Sequence, residues 1–259
     1  SFKKIIVIAS PNVQENFKLQ LFNKSKLEKI NKTWKLEGCV GSSLLHELKN
    51  YNLDNLPKDK IISKIEKIIS NNYSFTGYEK FANKIQKLLS FNIENNSMKK
   101  KKIKKILNKL FDGCMIVIDE VHNIRITTEG DNEEATNKRK KIANAISQLV
   151  KNVNHLKMLF LSATPIFNEP KEIVFLLNLM NINDGYSPVH PKEIFDNTGN
   201  LLIKNGENIG AKKLIEKANG YISYVRGENP YNFPFKLYPN DFNDEQSIKK
   251  YRYPLTQFN

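Results

Sequence analysis

Asp119 and Glu120 stand side by side at the end of an apolar run, in the stretch "MIVIDEVHNI" (115–124). Like charges are ordinarily kept apart at the rim of a core, because burial penalises each ionised carboxylate and each raises the cost of the other. Chemistry supplies a reason to pair them. A hard divalent cation such as Mg²⁺ is held through one or two carboxylates together with substrate phosphates, while a neighbouring carboxylate can take the proton from an attacking water. A strand that simply ends in a turn would carry the same two acids, and the pair alone does not separate the two readings. His122, two residues on, can donate, accept or carry charge near neutral pH; it also suits a hydrogen-bonded interface position. A second such stretch is "LFLSATPIFN" (159–168). There an apolar run ends in Ser162 and Thr164 around the small Ala163, and Pro165 stops the strand because it has no N–H to donate. Hydroxyls at that point could bridge a phosphate site to a moving partner, although a hydroxyl-capped turn has the same composition.

Groups of this kind act when a sheet holds them together at one edge, since ligands of parallel α/β sheets collect at the carboxyl ends of the strands. The apolar runs at about 3–9, 114–119 and 157–162 read as strands buried on both faces, alternating with helices, which predicts a parallel sheet of βαβ units. Helices are expected over "VQENFKLQLFNK" (13–24), "PKDKIISKIEKIIS" (57–70), the lysine-rich 98–111, "KIANAISQLVKNV" (141–153), "KEIVFLLNLM" (171–180) and 210–219. In the second of these Ile61, Ile62, Ile65, Ile68 and Ile69 recur at helical spacing. A short strand and turn in "TWKLEGCVGSS" (33–43) lead into "LLHELKN", and "YSFTGYEKFANKIQKLL" (73–89) changes from strand to helix around Gly77. The polar stretch 127–140 reads as a loop. Beyond Asn181 the chain reads as loops with extended pieces around "YISYV" and "FPFKLYP". No internal repeat is present.

Composition narrows the function classes. Hydrophobic residues make up 40% and charged residues 26%, the balance of a folded chain rather than a disordered one. The longest apolar runs, such as "IVFLL" at 173–177, fall far short of the roughly 20 residues that span a bilayer. Two cysteines, Cys39 and Cys114, lie in apolar surroundings without metal-ligand spacing, which suits a reducing compartment. The net charge of +14 is uneven: residues 1–112 hold 23 Lys and Arg against 10 Asp and Glu, whereas 113–259 hold 18 against 17. Such asymmetry points to a polyanion on one face. Its densest part, "MKKKKIKKILNKLF" (98–111), places Ile103, Ile106, Leu107 and Leu110 at helical spacing, so that cluster is read as the solvated face of an amphipathic helix.

Taken together and in order, these segments resemble the motor domain of superfamily 2 helicases, specifically its Swi/Snf-like branch. "DEVH" (119–122) matches the Walker B box and "SATP" (162–165) matches motif III. "TPIFN" followed by "EIVFLLNLM" is similar to a signature turn and helix of that branch. "VIASPN" (7–12) resembles motif Ia, and "YSFTGYEKFANKI" (73–85) occupies the place of motif Ib. "FTGYEKFAN", "IDEVHNIR", "SATPIFN" and "YVRGENPYNFPFKLYP" (224–239) are similar to the helicase-like ATPases of large nucleocytoplasmic DNA viruses, a group that in poxviruses includes the early transcription factor small subunit and nucleoside triphosphate phosphohydrolase I. The resemblance implies ATP and Mg²⁺ as cofactors, with Asp119 holding the metal through water and Glu120 activating the attacking water. It implies that His122 couples the nucleotide site to the nucleic-acid site, with Ser162, Ala163 and Thr164 as the segment linking two lobes. Ser10, Pro11 and Asn12 with Thr76, Gly77 and Tyr78 would grip nucleic-acid backbone phosphates, with Tyr78 equally suited to a helix-start core position.

The implied fold is α/β, a RecA-like parallel sheet flanked by helices (the P-loop NTPase fold, helicase lobe 1). Residues 1–181 would form the lobe, with a helical insertion over about 42–112, and 182–259 an extension towards a second lobe. No GxxxxGK[ST] occurs, since no Gly is followed by Lys, and no QxxGRxxR is present. The expectation is therefore an internal piece of a longer motor, lacking the Walker A loop and the arginine finger and inactive alone. The implied partners are nucleic acid, double-stranded DNA foremost, and viral RNA polymerase or transcription-factor subunits, with no membrane. The implied location is the virion or the viral factory in host cytoplasm.

Overall fold

The computed structural model describes residues 2–38, 40–49, 51–91, 95–124, 133–166 and 169–224. Packing divides the chain into residues 1–221 and 222–259, and only 222–224 of the second unit are described, so the architecture below is that of the first. Cys39, Arg125, the Phe167–Asn168 end of "TPIFN", and the segments read from 225 onward lie outside the described residues.

Strand β1 (Lys4–Ile8) leads through Ser10 into helix α1 (Pro11–Leu21), which starts with Pro at its first position, where no N–H is needed. A hairpin follows, β2 (Leu27–Ile30) and β3 (Thr33–Leu36), closed by Asn31 and Lys32 with φ of 50° and 67°. Left-handed backbone at both turn residues is the two-residue geometry whose twist matches the flanking strands. Helices α2 (Gly41–Glu47) and α3 (Lys58–Asn72) pack with this hairpin around Phe22, Leu27, Leu36, Leu44, Leu48, Ile61 and Ile65, a small core of its own. Ile61 and Ile65 are fully buried, as their spacing predicts.

Strand β4 (Tyr73–Thr76) then returns to the main sheet, followed by α4 (Tyr78–Leu89), α5 (Asn96–Phe111), β5 (Cys114–Ile118), α6 (Glu133–Asn152), β6 (Lys157–Phe160) and α7 (Glu172–Asn183). The strands form one sheet in the order β4-β1-β5-β6, every pair parallel, with Ile5 opposite Tyr73 and Met115, and Ile118 opposite Ile8 and Phe160. The expected α/β fold with a parallel sheet flanked by helices is thus the observed one. Alternation along the strands separates two cores. Ile6, Ile8, Cys114, Ile116 and Ile118 meet Phe81, Ile85, Leu107, Phe111, Ile146 and Leu149 from α4, α5 and α6 on one face. Val7 and Val117 meet Val13 and Phe17 of α1 on the other. Each fully buried aliphatic of this kind contributes roughly 1.5–3 kcal/mol. Strand β6 is an edge, with exposed Lys157 and Leu159.

The structure departs from the expected outline in three places. The stretch 42–112 is not one helical insertion: residues 22–69 build the small core, whereas β4, α4 and α5 belong to the main one. Its segment "YSFT", rich in aromatic and β-branched residues, pairs with β1 over four residues, and that pairing takes it into the sheet. Second, α6 begins at Glu133, so the latter part of the expected loop 127–140 is helix. Polarity alone suggested a loop there, but Lys and Arg are good helix formers. Third, the hairpin strand β2 has only Leu27 buried, with Glu28, Lys29 and Ile30 exposed, and so lacks the alternation that marks a half-buried strand. Past α7, a two-residue pair β7 (Ile203–Lys204) and β8 (Glu207–Asn208) precedes α8 (Ile209–Ala218), and Val174, Val189, Ile194 and Phe195 pack as a further small cluster. The lysine helix follows its pattern in part: Leu107 is buried, Ile103 and Ile106 are half-buried, and Lys100, Lys101 and Lys102 lie on the solvent side, but Leu110 is exposed and Phe111 takes its place in the core. No helix among the described residues is long and apolar enough to cross a membrane.

Candidate functional site

The carboxyl ends of β1, β5 and β6 meet at one edge, and main-chain bonds lock the segments beyond them. The Asp119 amide donates to the Ile8 carbonyl (3.0 Å), Leu161 to Ile118 (2.8 Å) and Val121 to Leu161 (3.0 Å). "DEVH" and "SATP" are therefore neighbours by backbone geometry. Their side chains meet as well. His122 Nδ1 lies 3.4 Å from Ser162 Oγ and 3.3 Å from Glu120 Oε2, standing between the acid and the hydroxyl. Ser162 Oγ also accepts from the Thr164 amide at 3.1 Å, which fixes the turn after β6. Ala163 and the rest of Thr164 are exposed.

The two acids differ. Asp119 is half-buried and Glu120 exposed. Burial, then the charge of Glu120, pushes the Asp119 carboxyl above its ordinary value, against an opposing backbone hydrogen bond from Glu120 and the pull of His122. A cation between such a pair would relieve both penalties, so the donor set fits a divalent metal held by Asp119. Glu120 carries a φ of 46°. A side chain in the left-handed region costs about 1 kcal/mol or more, and such strain gathers at functional positions.

The raised carboxyl has a testable consequence. Because the folded form holds this proton more tightly than the unfolded chain, its stabilising contribution is fully present below the ordinary aspartate value of 3.8 and is lost as pH rises through the raised one. Asp119→Asn, which imitates the protonated acid, is expected to raise the melting temperature at pH 7 and to change it little near pH 3.5. An equal gain at both pH values would show that the charge is not the cause.

The residues expected to grip a phosphate backbone lie along the same edge. Ser10 caps α1 and Gly77 caps α4, and neither helix start has a side-chain cap, so both leave backbone N–H groups free to meet a ligand. Ser10, Pro11, Gly77 and Tyr78 line one cleft of about 580 Å³. Thr76 is held beneath it, its carbonyl accepting from the Ala9 amide at 3.1 Å and its hydroxyl reaching the Gly77 carbonyl at 3.3 Å; Asn12 is exposed on α1. Tyr78 is half-buried, and its phenol donates to the main-chain carbonyl of Asp119. Burial above all, with the charges of Asp119 and Glu120, raises the phenol above its ordinary value against a hydrogen bond with the Asn123 side chain, so it stays a donor at neutral pH.

Glu79, Lys80, Asn123, Lys138 and Arg139 also line the cleft, and none of them was named as a site residue from sequence. Lys138 lies 3.5 Å from Glu79. Nothing local marks the two α6 residues, because the helix that carries them across the cleft was read as loop.

Comparison with known proteins follows the same line. The family model described as Type III restriction enzyme, res subunit, matches residues 15–167. The candidate helicase 009L of Frog virus 3 is 28% identical over 169 residues, covering 64% of this chain and 14% of its own length. A protein of Acanthamoeba polyphaga mimivirus named as a candidate ATP-dependent RNA helicase, L377, is 30% identical over 123 residues, covering 47% of this chain and 9% of its own. The termination factor NPH-I homolog of African swine fever virus is 28% identical over 130 residues, or 50% of this chain and 17% of its own. The chain thus spans only a small part of the relatives it matches. No solved structure matches it. A family match over more than half of the chain, on a parallel sheet whose carboxyl edge brings "DEVH" against "SATP", shows that the chain belongs to the family described as Type III restriction enzyme, res subunit, and is a superfamily 2 helicase-like protein similar to those of large DNA viruses.

Proposed function

We infer that the chain is part of an ATP-dependent nucleic-acid helicase or translocase serving viral transcription, with residues 1–181 as its first motor lobe and 182–259 extending towards a second. The observation that carries this reading is the meeting of Glu120, His122 and Ser162 at the carboxyl edge beside Asp119. Glu120 takes the proton from the water that attacks the terminal phosphorus, a task for which an exposed carboxylate at this edge is suited. His122, touching both Glu120 and Ser162, passes a change at the acid pair to the motif III turn. Asp119 would hold a Mg²⁺ ion, which when bound would supply neutralisation of phosphate charge. The African swine fever virus relative, a termination factor by name, supports a transcription role, and with it a location in the virion or viral factory and contact with polymerase subunits.

Two uncapped helix starts facing one cleft beside Lys80, Lys138 and Arg139 favour a phosphodiester backbone, because helix N-termini and basic side chains both attract phosphate without reading sequence. Duplex DNA is the proposed ligand. Its binding to the 259-residue chain is expected to ignore base sequence and to weaken with salt at a log–log slope of about −0.9 per phosphate neutralised. A Lys80→Ala/Lys138→Ala double variant should flatten that slope by about 1 to 2, whereas neutralising Lys100, Lys101 and Lys102 on α5 should leave it nearly unchanged. A titration series in which the α5 variant lost most of the slope would move the interface away from the cleft.

A second reading, a non-catalytic DNA- or polymerase-binding module derived from a helicase lobe, is favoured by the lack of any GxxxxGK[ST] in these 259 residues. The coding sequence ahead of Ser1 separates the two: a Walker A loop there supports the motor.

A further inference from the structure

Tyr78 belongs to both parts of the edge just described. Its ring lines the basic cleft with Ser10, Pro11, Gly77 and Arg139, and its phenol donates to the main-chain carbonyl of Asp119. That carbonyl belongs to the peptide that enters Glu120. The orientation of this peptide, with the left-handed φ of 46° that follows it, sets where the Glu120 carboxylate points and so whether it meets His122. The phenol bond to the carbonyl ties the orientation of this peptide to the position of the ring. Asn123, one residue past "DEVH", lines the same cleft, so the acid-bearing turn borders the cleft at a second point.

We propose that Tyr78 is a positioning residue that transmits occupancy of the cleft to the Asp119–Glu120 peptide. A backbone entering the cleft between the starts of α1 and α4 presses on the ring. The ring shifts by the slack in one hydrogen bond, and the peptide plane ahead of Glu120 turns with it. The inference rests on the reading of the cleft as a nucleic-acid site and adds the route by which that site reaches the acids. It is separate from the His122–Ser162 contact, which joins the acids to β6 rather than to the cleft.

Tyr78→Phe deletes the phenol and keeps the ring. The test follows backbone amide resonances of the 259-residue chain on adding a short duplex oligonucleotide, read at saturation so that any loss of affinity drops out of the comparison. In the wild type, the amides of Gly77 and Lys80 and those of Glu120 and Val121 are expected to shift together. In Tyr78→Phe the first pair should still shift while the response at Glu120 and Val121 is lost, with the Leu149 amide unchanged as evidence of an intact fold. A Glu120 response that survives in Tyr78→Phe overturns the proposal, as does a wild type in which only the cleft amides respond; both leave the nucleic-acid reading standing. Silence at Gly77 and Lys80 in the wild type overturns that reading and the proposal with it. If Tyr78→Phe fails to fold, the ring resonances of Tyr78 in the wild type decide: they are expected to shift with the Glu120 amide, and a Glu120 response with the ring resonances unmoved overturns the proposal.

Discussion

The 259-residue chain is expected to hydrolyse ATP no faster than its Glu120→Gln variant, with or without DNA. The acids that would hold the metal and accept the proton are present and poised, but the sequence offers no Gly-Lys pair for a phosphate cradle. Without backbone amides around the phosphates the nucleotide is neither held nor aligned, and a base with no aligned water has nothing to act on. Turnover by this chain that exceeded the Glu120→Gln control would overturn the expectation that the chain is inactive without a Gly-Lys phosphate cradle. In a longer polypeptide that supplies the loop and the second lobe, the same substitution is expected to lower turnover by about 10²–10⁴-fold, the usual contribution of a general base, while nucleotide binding persists. Single-turnover kinetics beside an equilibrium binding assay would separate the two. Loss of binding in step with turnover would make Glu120 a ligand of the nucleotide rather than its base.

The largest structural effect is expected from Gly210→Ala. Gly210 opens α8 with an ordinary backbone conformation, so what it supplies is close approach. A Cβ there would lie 2.1 Å from the Ile194 carbonyl oxygen and 2.6 Å from the Leu202 nitrogen. Those two atoms are hydrogen-bonded to each other at 2.8 Å, and Gly210 itself donates to the Leu202 carbonyl at 2.9 Å. The added methyl would wedge into this small ladder, with backbone on both sides and no flexible side chain to yield. Overpacking of this kind with loss of a hydrogen bond costs about 3 kcal/mol. Because Ile194 is fully buried in its cluster with Val174 and Phe195, the damage should spread there and stop short of the four-stranded sheet. Hydrogen exchange would show it as faster exchange at the Leu202 and Gly210 amides with that of Ile116 unchanged. Protection at Leu202 equal to the wild type would count against the steric account.

How far the sequence leads depends on what each residue signals locally. Strands β1 and β5 were legible because strands buried in the sheet are written as unbroken aliphatic runs, and β6 by its short apolar run although it lies at an edge with Lys157 and Leu159 exposed; the acids and hydroxyls at their ends could be read as one edge once the strands were taken as parallel. The nearness of "DEVH" to "SATP" then follows from strand order, whereas the side-chain contact of His122 with Glu120 and Ser162 is seen only in the structure. What stayed hidden lacked a period. Strand β2 buries one residue in four. The first turns of α6 are a run of polar residues whose helix is settled by packing farther along, at Ile142 and Ile146. The cleft wall formed by Lys138 and Arg139 was lost with that helix start. Tyr78 could be placed at a helix start from its neighbours, but no sequence pattern reveals that its hydroxyl reaches across 41 positions to Asp119.

The strand order has a bearing on how the chain acquires its shape. Strand β1 comes first along the described chain yet lies inside the sheet, between β4 and β5, so its two neighbours are synthesised about 70 and 110 residues later. Both pairings close long loops before any contact rewards them, which makes sheet formation a slow, non-local step. The core around Leu27, Leu36, Ile61 and Ile65 has no such wait, since all of its members lie within 22–69. On a ribosome it can condense while β1 is still unpartnered. The basic half of the protein thus emerges with its central strand exposed until "CMIVI" arrives, and in that interval its lysines, by mutual repulsion, guard an aliphatic segment that would otherwise pair with a neighbouring chain.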